Sequence, residues 1–166
     1  MSVRPVLQLP AAVLKHPTAE VTSIGDDERA LARDLLDTMA ASPACVGLAA
    51  NQIGVALRAF AVDVSGHKKA DSCHGAVVLF NPVLIGSSAP VVAREGCMSV
   101  PDLTGNVARP TEVVVQGITP EGTVRVIEAN AFEARAILHE LDHLDGLVFL
   151  DRVVSVADVF RRVKYQ

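Results

Sequence analysis

The segment His139-Glu140-Leu141-Asp142-His143 places two histidines four positions apart. At about 3.6 residues per turn, four steps bring the chain round by roughly one turn, so both imidazoles project from one face of a helix and can bind the same metal ion. Glu140 directly follows the first histidine, where a carboxylate can take a proton from a metal-bound water. The spacing therefore predicts metal-assisted hydrolysis.

A catalytic site of this kind usually has three protein ligands and one position for water or substrate. After His143 the sequence offers neither histidine nor glutamate, and Phe149 stands where the long metzincin pattern has its third histidine. The third ligand must therefore come from upstream or be one of the neighbouring aspartates, which are Asp142, Asp145, Asp151 and Asp158.

Two upstream segments extend the pattern: Gly47-Leu48-Ala49-Ala50-Asn51-Gln52 and Glu95-Gly96-Cys97-Met98-Ser99. Together with the histidine segment they are similar, in order and separation, to the three signature motifs of peptide deformylases, and the chain resembles this family from about Leu9 to Arg152. The combination is specific, whereas HExxH alone often occurs by chance. The resemblance implies a metal-dependent hydrolase that removes the formyl group from the N-terminal formylmethionine of newly made polypeptides and releases formate.

The resemblance also implies the ligands and the ion. Cys97 as a thiolate, with neutral His139 and His143, would hold one divalent metal in a roughly tetrahedral site. Ferrous iron is the ion that the family implies. The affinity order of such a site does not choose among iron, zinc, nickel and cobalt.

Three further residues are expected to carry out the reaction. Glu140 would act as general base and then as general acid toward the leaving amine. By resemblance to the family, the side-chain amide of Gln52 and the backbone N–H of Met98 would stabilise the negative charge that develops on the formyl oxygen.

The substrate side of the site is expected to be apolar. Gly47 lacks a Cβ, so an extended peptide could approach its backbone closely. The resemblance implies that Val46, Ala93, Phe132 and Ala136 line a pocket for the methionine side chain, although apolar residues at such positions also occur in an ordinary core.

Several positions depart from the usual deformylase pattern. Cys45 replaces a glycine, Asn51 replaces a proline, and Thr104 stands where many relatives carry an arginine near the substrate entrance. These departures favour a second hypothesis, a deformylase-like enzyme with altered formamide or peptide specificity. A zincin-type peptidase is disfavoured by Phe149, and a non-catalytic metal module has no need of Glu140 beside the histidine.

Composition restricts the class of protein. A length of 166 residues with 50% hydrophobic residues suits one catalytic domain over residues 1–166. No apolar run reaches the roughly 20 residues of a membrane span, and no signal-peptide pattern is present, so we expect a cytoplasmic protein without a membrane partner. The net charge of -4 argues against direct nucleic-acid binding. The expected partner is the nascent formylmethionyl chain, with transient ribosome contact as a further hypothesis.

Two smaller features complete this picture. Three widely spaced cysteines without a C-x-x-C pair indicate a reducing compartment. The basic residues near the end of the sequence are interpreted as a solvated face; they are Arg161, Arg162 and Lys164.

The elements that must position these residues follow from periodicity and turn signals. An amphipathic helix is predicted over 26–42, and the HExxH helix is predicted to end near Gly146. Strands are predicted over 57–64, 76–84 and 91–94, with a hairpin of 111–118 and 122–128. A short helix is predicted over 153–165. The expected fold is α+β, with antiparallel β-sheets packed around the central C-terminal helix and an additional N-terminal helix.

Overall fold

Two antiparallel sheets and two α-helices form the fold in the computed structural model, which describes residues 2–163. The predicted α+β class is confirmed. In chain order the helices and strands are α1 (Asp26–Ala41), β1 (Gly47–Ala49), β2 (Ala59–Val62), β3 (Val77–Ser87), β4 (Pro90–Cys97), β5 (Val100–Pro110), β6 (Glu112–Ile118), β7 (Val124–Asn130), α2 (Ala131–Leu144) and β8 (Val159–Arg161).

The five-stranded sheet has the order β1-β2-β3-β6-β7, and the three-stranded sheet has the order β4-β5-β8. The predicted hairpin is the pair β6–β7, which is joined by a turn at Gly122, where φ is +85°. Within the described residues, no helix is long and apolar enough to span a membrane.

The N-terminal helix α1 begins where its sequence provides a favourable first turn. The Gly25 N–H donates to the Glu28 carboxylate at 2.8 Å, and acidic residues lie near the positive end of the helix dipole. Its apolar stripe of Leu31, Leu35 and Met39 is buried against β1 and β2. The helix therefore covers one face of the larger sheet.

The second helix, α2, is the central element that was predicted. It contacts strands of both sheets, including β1, β2 and β5, and it is buried continuously from Glu140 to Leu144. Ile137 and Leu141 pack in the same core cluster as Leu79 and Val115 of the larger sheet. This packing fixes the rotation of the helix and hence the direction in which its histidines point.

The predicted elements differ from the structure in two places. Strand β5 was not predicted, because prolines, a glycine and polar residues interrupt its apolar pattern; it is stabilised by pairing with β4 along most of its length. The short helix predicted over 153–165 is wrong for the described part, which contains a 3-10 turn over Val156–Asp158 and then β8. The residues from Lys164 onward lie outside the described range. Pairing between strands decided both segments.

Candidate active site and metal centre

The two histidines of α2 meet the thiol at the end of β4. One ligand atom each from Cys97, His139 and His143 lie within 4.8 Å of one another, and no other such group of three occurs among residues 2–163. Cys97 Sγ is 3.2 Å from His143 Nε2. A register irregularity between Gly96 and Cys97, at the end of β4, precedes the turn into β5. The third candidate ligand is thus the upstream cysteine.

The imidazole of His139 is oriented by a carboxylate. Its Nδ1 lies 3.2 Å from Glu95 Oε1, an arrangement that fixes Nδ1–H as the donor and leaves Nε2 free for a metal. Burial alone would lower the pKa of His139, but hydrogen bonds with Cys97 and Glu95 raise it well above 6.5. These neighbours therefore stabilise positive charge at this imidazole.

The imidazole of His143 is fully buried and stays neutral. Burial, followed by the positive charges of His139 and Arg109, lowers the pKa of His143 well below its usual value. Its backbone carbonyl accepts a 2.6 Å hydrogen bond from Asn51 Nδ2, which ties the first sequence motif to α2. A thiol and two imidazoles of this kind fit a divalent first-row metal.

Glu140 lies beside this cluster with an unused acceptor. Its side chain is buried, and Oε2 has no hydrogen-bond partner among the described residues. Burial raises the pKa of Glu140 to about 7, against the opposing charges of His139 and Arg109. A carboxyl group with this pKa can accept and return a proton near neutral pH.

Gly47 makes room for this carboxylate. A Cβ atom built at Gly47 would lie 2.5 Å from Glu140 Oε1. The prediction for Gly47 concerned the approach of a peptide; the structure adds a second requirement, because any larger residue would displace Glu140.

Gln52 is held by hydrogen bonds on both sides of its amide. Its Oε1 accepts from the Ala49 N–H at 2.9 Å, and its Nε2 donates to Ser99 Oγ at 3.1 Å. The same nitrogen is 3.6 Å from Cys97 Sγ, so the amide hydrogens lie at the edge of the metal centre. Ser99 in turn donates to the Leu7 carbonyl at 2.7 Å. Sequence reasoning did not assign Ser99 this role.

Next to His139, three paired charged side chains form a group that we call the buried charge network: Glu95, Arg109 and Asp142. Arg109 Nε lies 2.9 Å from Glu95 Oε2, and its Nη1 donates to Asp142 at 2.7 Å. Each of the three side chains is at most 9% exposed. Burial would raise the pKa of Glu95, but the His139 hydrogen bond and the Arg109 charge hold it below its usual value. Glu95 is thus an ionised carboxylate paired with Arg109.

The metal centre opens into a cavity of about 260 Å³. Predicted site residues that line it are Val46, Gly47, Gln52, Cys97, Met98, Phe132, Ala136, His139 and Glu140. Ala93 is not among them; it is exposed and lies four residues before Cys97 on β4. Met98 lies in the two-residue turn between β4 and β5.

Cys45, one of the departures from the family pattern, also lines this cavity. Its Sγ donates to the Gly47 carbonyl at 3.1 Å. Burial, together with the negative charge of Glu140, raises the pKa of Cys45 to about 12. Cys45 is therefore a neutral thiol in the wall of the cavity.

The cavity mouth, defined as Arg94, Thr104 and Arg162, departs from expectation. The interpretation of the terminal basic residues as a solvated face is wrong for Arg162, whose side chain reaches the cavity lining. Arg161 is exposed. With Thr104 where many relatives carry an arginine, one cation is missing from the entrance. Arg94 and Arg162 provide two others. No sequence signal marked Arg162, because its position depends on the pairing of β8 with β5.

A family model described as polypeptide deformylase matches residues 3–158. The chain is 36% identical to a peptide deformylase of Syntrophobacter fumaroxidans over 98% of this chain and 94% of that protein. It is 38% identical to a peptide deformylase of Rhizobium meliloti over 92% and 86% of the two chains. The crystal structure of peptide deformylase from Ehrlichia chaffeensis in complex with actinonin has a TM-score of 0.87 and 32% identity, covering 95% of this chain and 92% of that one.

Proposed function

Because this chain belongs to the polypeptide deformylase family, we propose that Cys97, His139 and His143 hold its catalytic metal. The enzyme removes the formyl group from the N-terminal formylmethionine of newly made polypeptides and releases formate. The observation that carries the residue assignment is the convergence of one thiol and two imidazoles within 4.8 Å, beside a buried carboxylate with a free acceptor. A metal bound there would polarise the formyl carbonyl and activate a water molecule.

We propose that Glu140 moves the proton. Its unpartnered Oε2 accepts a proton from the attacking water, and the protonated carboxyl group then donates to the departing amine nitrogen. A pKa of about 7 allows both steps near neutral pH. Gly47 keeps this carboxylate in position because it leaves the space that the carboxylate occupies.

Charge that develops on the formyl oxygen needs donors that are already oriented. We assign this task to the Gln52 amide and the Met98 backbone N–H. Both residues line the cavity, and the hydrogen bonds of Gln52 to Ala49 and Ser99 hold its amide in one orientation. For the methionine side chain we propose the apolar wall formed by Val46, Phe132 and Ala136.

We propose ferrous iron as the native metal, as the family resemblance implies; the same donor set accepts zinc, nickel and cobalt. Loading metal-free protein with each ion under anaerobic conditions tests this proposal. The iron form should be the most active, and its activity should decline in air as iron and thiolate oxidise. An iron form that stays fully active in air contradicts that expectation.

We also propose that residues 1–166 act as one catalytic domain in the cytoplasm, where nascent formylmethionyl chains are made, with transient ribosome contact. The free thiols of the three cysteines are consistent with a reducing compartment. Cosedimentation with ribosomes carrying a short nascent chain, compared with empty ribosomes, tests the contact.

Altered specificity remains the alternative function, because Cys45 lines the cavity and Thr104 accepts a hydrogen bond from Arg94, which lines it too. The deciding experiment is formate release from a formylmethionyl peptide by anaerobically prepared, iron-loaded protein. Acetylmethionyl peptide and Cys97→Ser serve as controls. We expect release from the formyl peptide only, and its loss in the variant. No release from protein with confirmed metal content would favour the alternative.

A further inference from the structure

The two arginines of the cavity mouth form no ion pair with any residue between 2 and 163. The third arginine in the lining, Arg135, is already engaged: its Nη1 lies 3.5 Å from Glu95 Oε2 and donates to the Val107 carbonyl at 3.0 Å. An unpaired guanidinium at the edge of a cavity keeps its donors available for an incoming anion. Neither Arg94 nor Arg162 therefore has a direct carboxylate partner among residues 2–163.

Arg162 is held over the backbone that carries a metal ligand. The backbone N–H of Arg162, which directly follows β8, donates to the Asp102 carbonyl at 2.9 Å. Its Nη2 lies 3.5 Å from the Cys97 carbonyl oxygen. A Cβ atom at Gly96 would overlap with this Nη2, so the guanidinium occupies space that only glycine leaves open.

Arg94 is fixed on the other side of Thr104. Its Nε donates to Asn106 Oδ1 at 3.0 Å and its Nη1 to Thr104 Oγ1 at 3.3 Å. The guanidinium carbon is 3.7 Å from the centroid of the Phe160 ring. These partners are neutral and orient the guanidinium, and the nearby carboxylate of Asp158 is bound to Asn106 and not to Arg94 itself. Both Arg162 and Thr104 contact the position of a Cβ built at Gly96, so Arg162 lies beside the residue that binds Arg94.

The Arg162 Nη2 lies 3.5 Å from the Cys97 carbonyl oxygen, and Arg162 lines the same cavity as Glu140, so a peptide held at the metal centre would run near it. An extended chain advances about 3.3–3.6 Å per residue, so the residues directly after methionine lie within reach of Arg162. Resting on the proposed function, we infer that Arg162, supported by Arg94, selects formylmethionyl peptides that carry aspartate or glutamate directly after the methionine. The carboxylate accepts charge-assisted hydrogen bonds from the guanidinium group.

The test uses three peptides that differ only in the second residue: formyl-Met-Asp-Ala amide, formyl-Met-Asn-Ala amide and formyl-Met-Lys-Ala amide. The C-terminal amide removes the other carboxylate, and asparagine matches the shape of aspartate without its charge. We expect kcat/KM for the aspartate peptide to exceed that for the asparagine peptide about tenfold at low salt. The difference should arise in KM and should shrink as ionic strength rises.

Three variants connect this preference to the residue. Arg162→Gln should bring the ratio of the aspartate to the asparagine peptide close to one, and Arg162→Lys should retain part of it as a point charge. Arg161→Gln is the matched control, because Arg161 is adjacent, exposed and absent from the cavity lining. A wild-type ratio below about twofold, or a ratio that survives Arg162→Gln, overturns the inference.

A binding measurement separates this inference from the proposed function. Calorimetry with the product peptides Met-Asp-Ala amide and Met-Asn-Ala amide needs no turnover and can be carried out on metal-free protein. Tighter binding of the aspartate peptide that disappears in Arg162→Gln supports the inference even if no peptide releases formate. Equal binding of the two peptides counts against it.

Discussion

The buried charge network and the cavity mouth both place arginines beside the metal ligands, but they treat the charge in opposite ways. Arg109 is 5% exposed and bonds to two carboxylates. Arg162 is half-buried and has no carboxylate partner among residues 2–163. The charge of the first arginine is neutralised by two carboxylates of the fold, whereas the second arginine has no such partner among the described residues.

This difference separates two roles of the same side chain. A buried, paired guanidinium fixes the positions of its partners, because leaving any of them unpaired is costly. Here it holds Glu95, which orients His139. An accessible, unpaired guanidinium adds little to stability, but it can recognise an anion. The buried charge network positions the candidate metal ligand His139. The cavity mouth, by our inference, selects the substrate.

The largest effect is expected at the carboxylate in the metal centre. Glu140→Gln should lower kcat roughly 10²–10⁴-fold, because an amide cannot accept the proton from water. Glutamine has nearly the same volume, so we expect metal content to stay unchanged. Formate release and metal analysis on the same sample test both points, and activity within tenfold of wild type would contradict the assigned role.

The contrast between buried and accessible arginines can be tested around one carboxylate. Arg109→Met should destabilise the fold by about 3–5 kcal/mol, because it removes the buried cation that pairs with both Glu95 and Asp142. Arg152→Met is the matched control: Arg152 also bonds to Asp142, but it is 51% exposed. Its cost should be below about 1 kcal/mol. Urea unfolding measures the loss in the free energy of unfolding for each variant. Equal losses would contradict the distinction between a buried and an accessible arginine.

Arg109→Met should also change how the stability of the fold depends on pH in acid. Glu95 has a lowered pKa in the fold, so its contribution is present above its unfolded pKa and is lost as pH falls through the folded pKa. Removing Arg109 raises the folded pKa of Glu95, so acid unfolding should begin at a higher pH than in wild type. An unchanged acid midpoint would show that Arg109 does not stabilise the Glu95 carboxylate.

A smaller effect on catalysis is expected from Gly47→Ala. The added methyl group overlaps with Glu140 Oε1, and a displacement of about 1 Å in a catalytic group costs on the order of 10² in kcat. Gly86→Ala is the control, because its Cβ meets only Val114 at 3.4 Å, far along the larger sheet. Steady-state kinetics should show a loss only for Gly47→Ala.

The smallest effect is expected from Thr104→Arg at the mouth. Because Arg94 and Arg162 already flank this position, a further cation should change kcat/KM for a neutral formylmethionyl peptide by less than about threefold. The urea midpoint should also stay close to wild type. A gain above tenfold would show that the existing arginines do not replace the missing one.

Features carried by a single element could be predicted well. The helical spacing placed His139 and His143 on one face, and α2 has this geometry. The three motifs together indicated Cys97 as the upstream ligand, and its thiol lies within 4.8 Å of a ring nitrogen of each imidazole.

Features that depend on pairing between distant segments could not be predicted. Strand β5 has a weak pattern, and β8 exists because it pairs with β5. Ala93 was expected in the pocket, but it precedes the buried end of β4. The fit of Gly47 against Glu140 joins positions almost a hundred residues apart, and no local propensity reports it.

The sequence alone determined the chemistry: a local helical period and two short motifs specify which atoms can bind a metal and move a proton. The tertiary structure decided which charges are neutralised and which are left accessible. Arg109 and Arg162 are the same residue type, and only the packing around each of them distinguishes the two. Pairing and burial are properties of the whole fold, so the sequence around an arginine does not reveal its role.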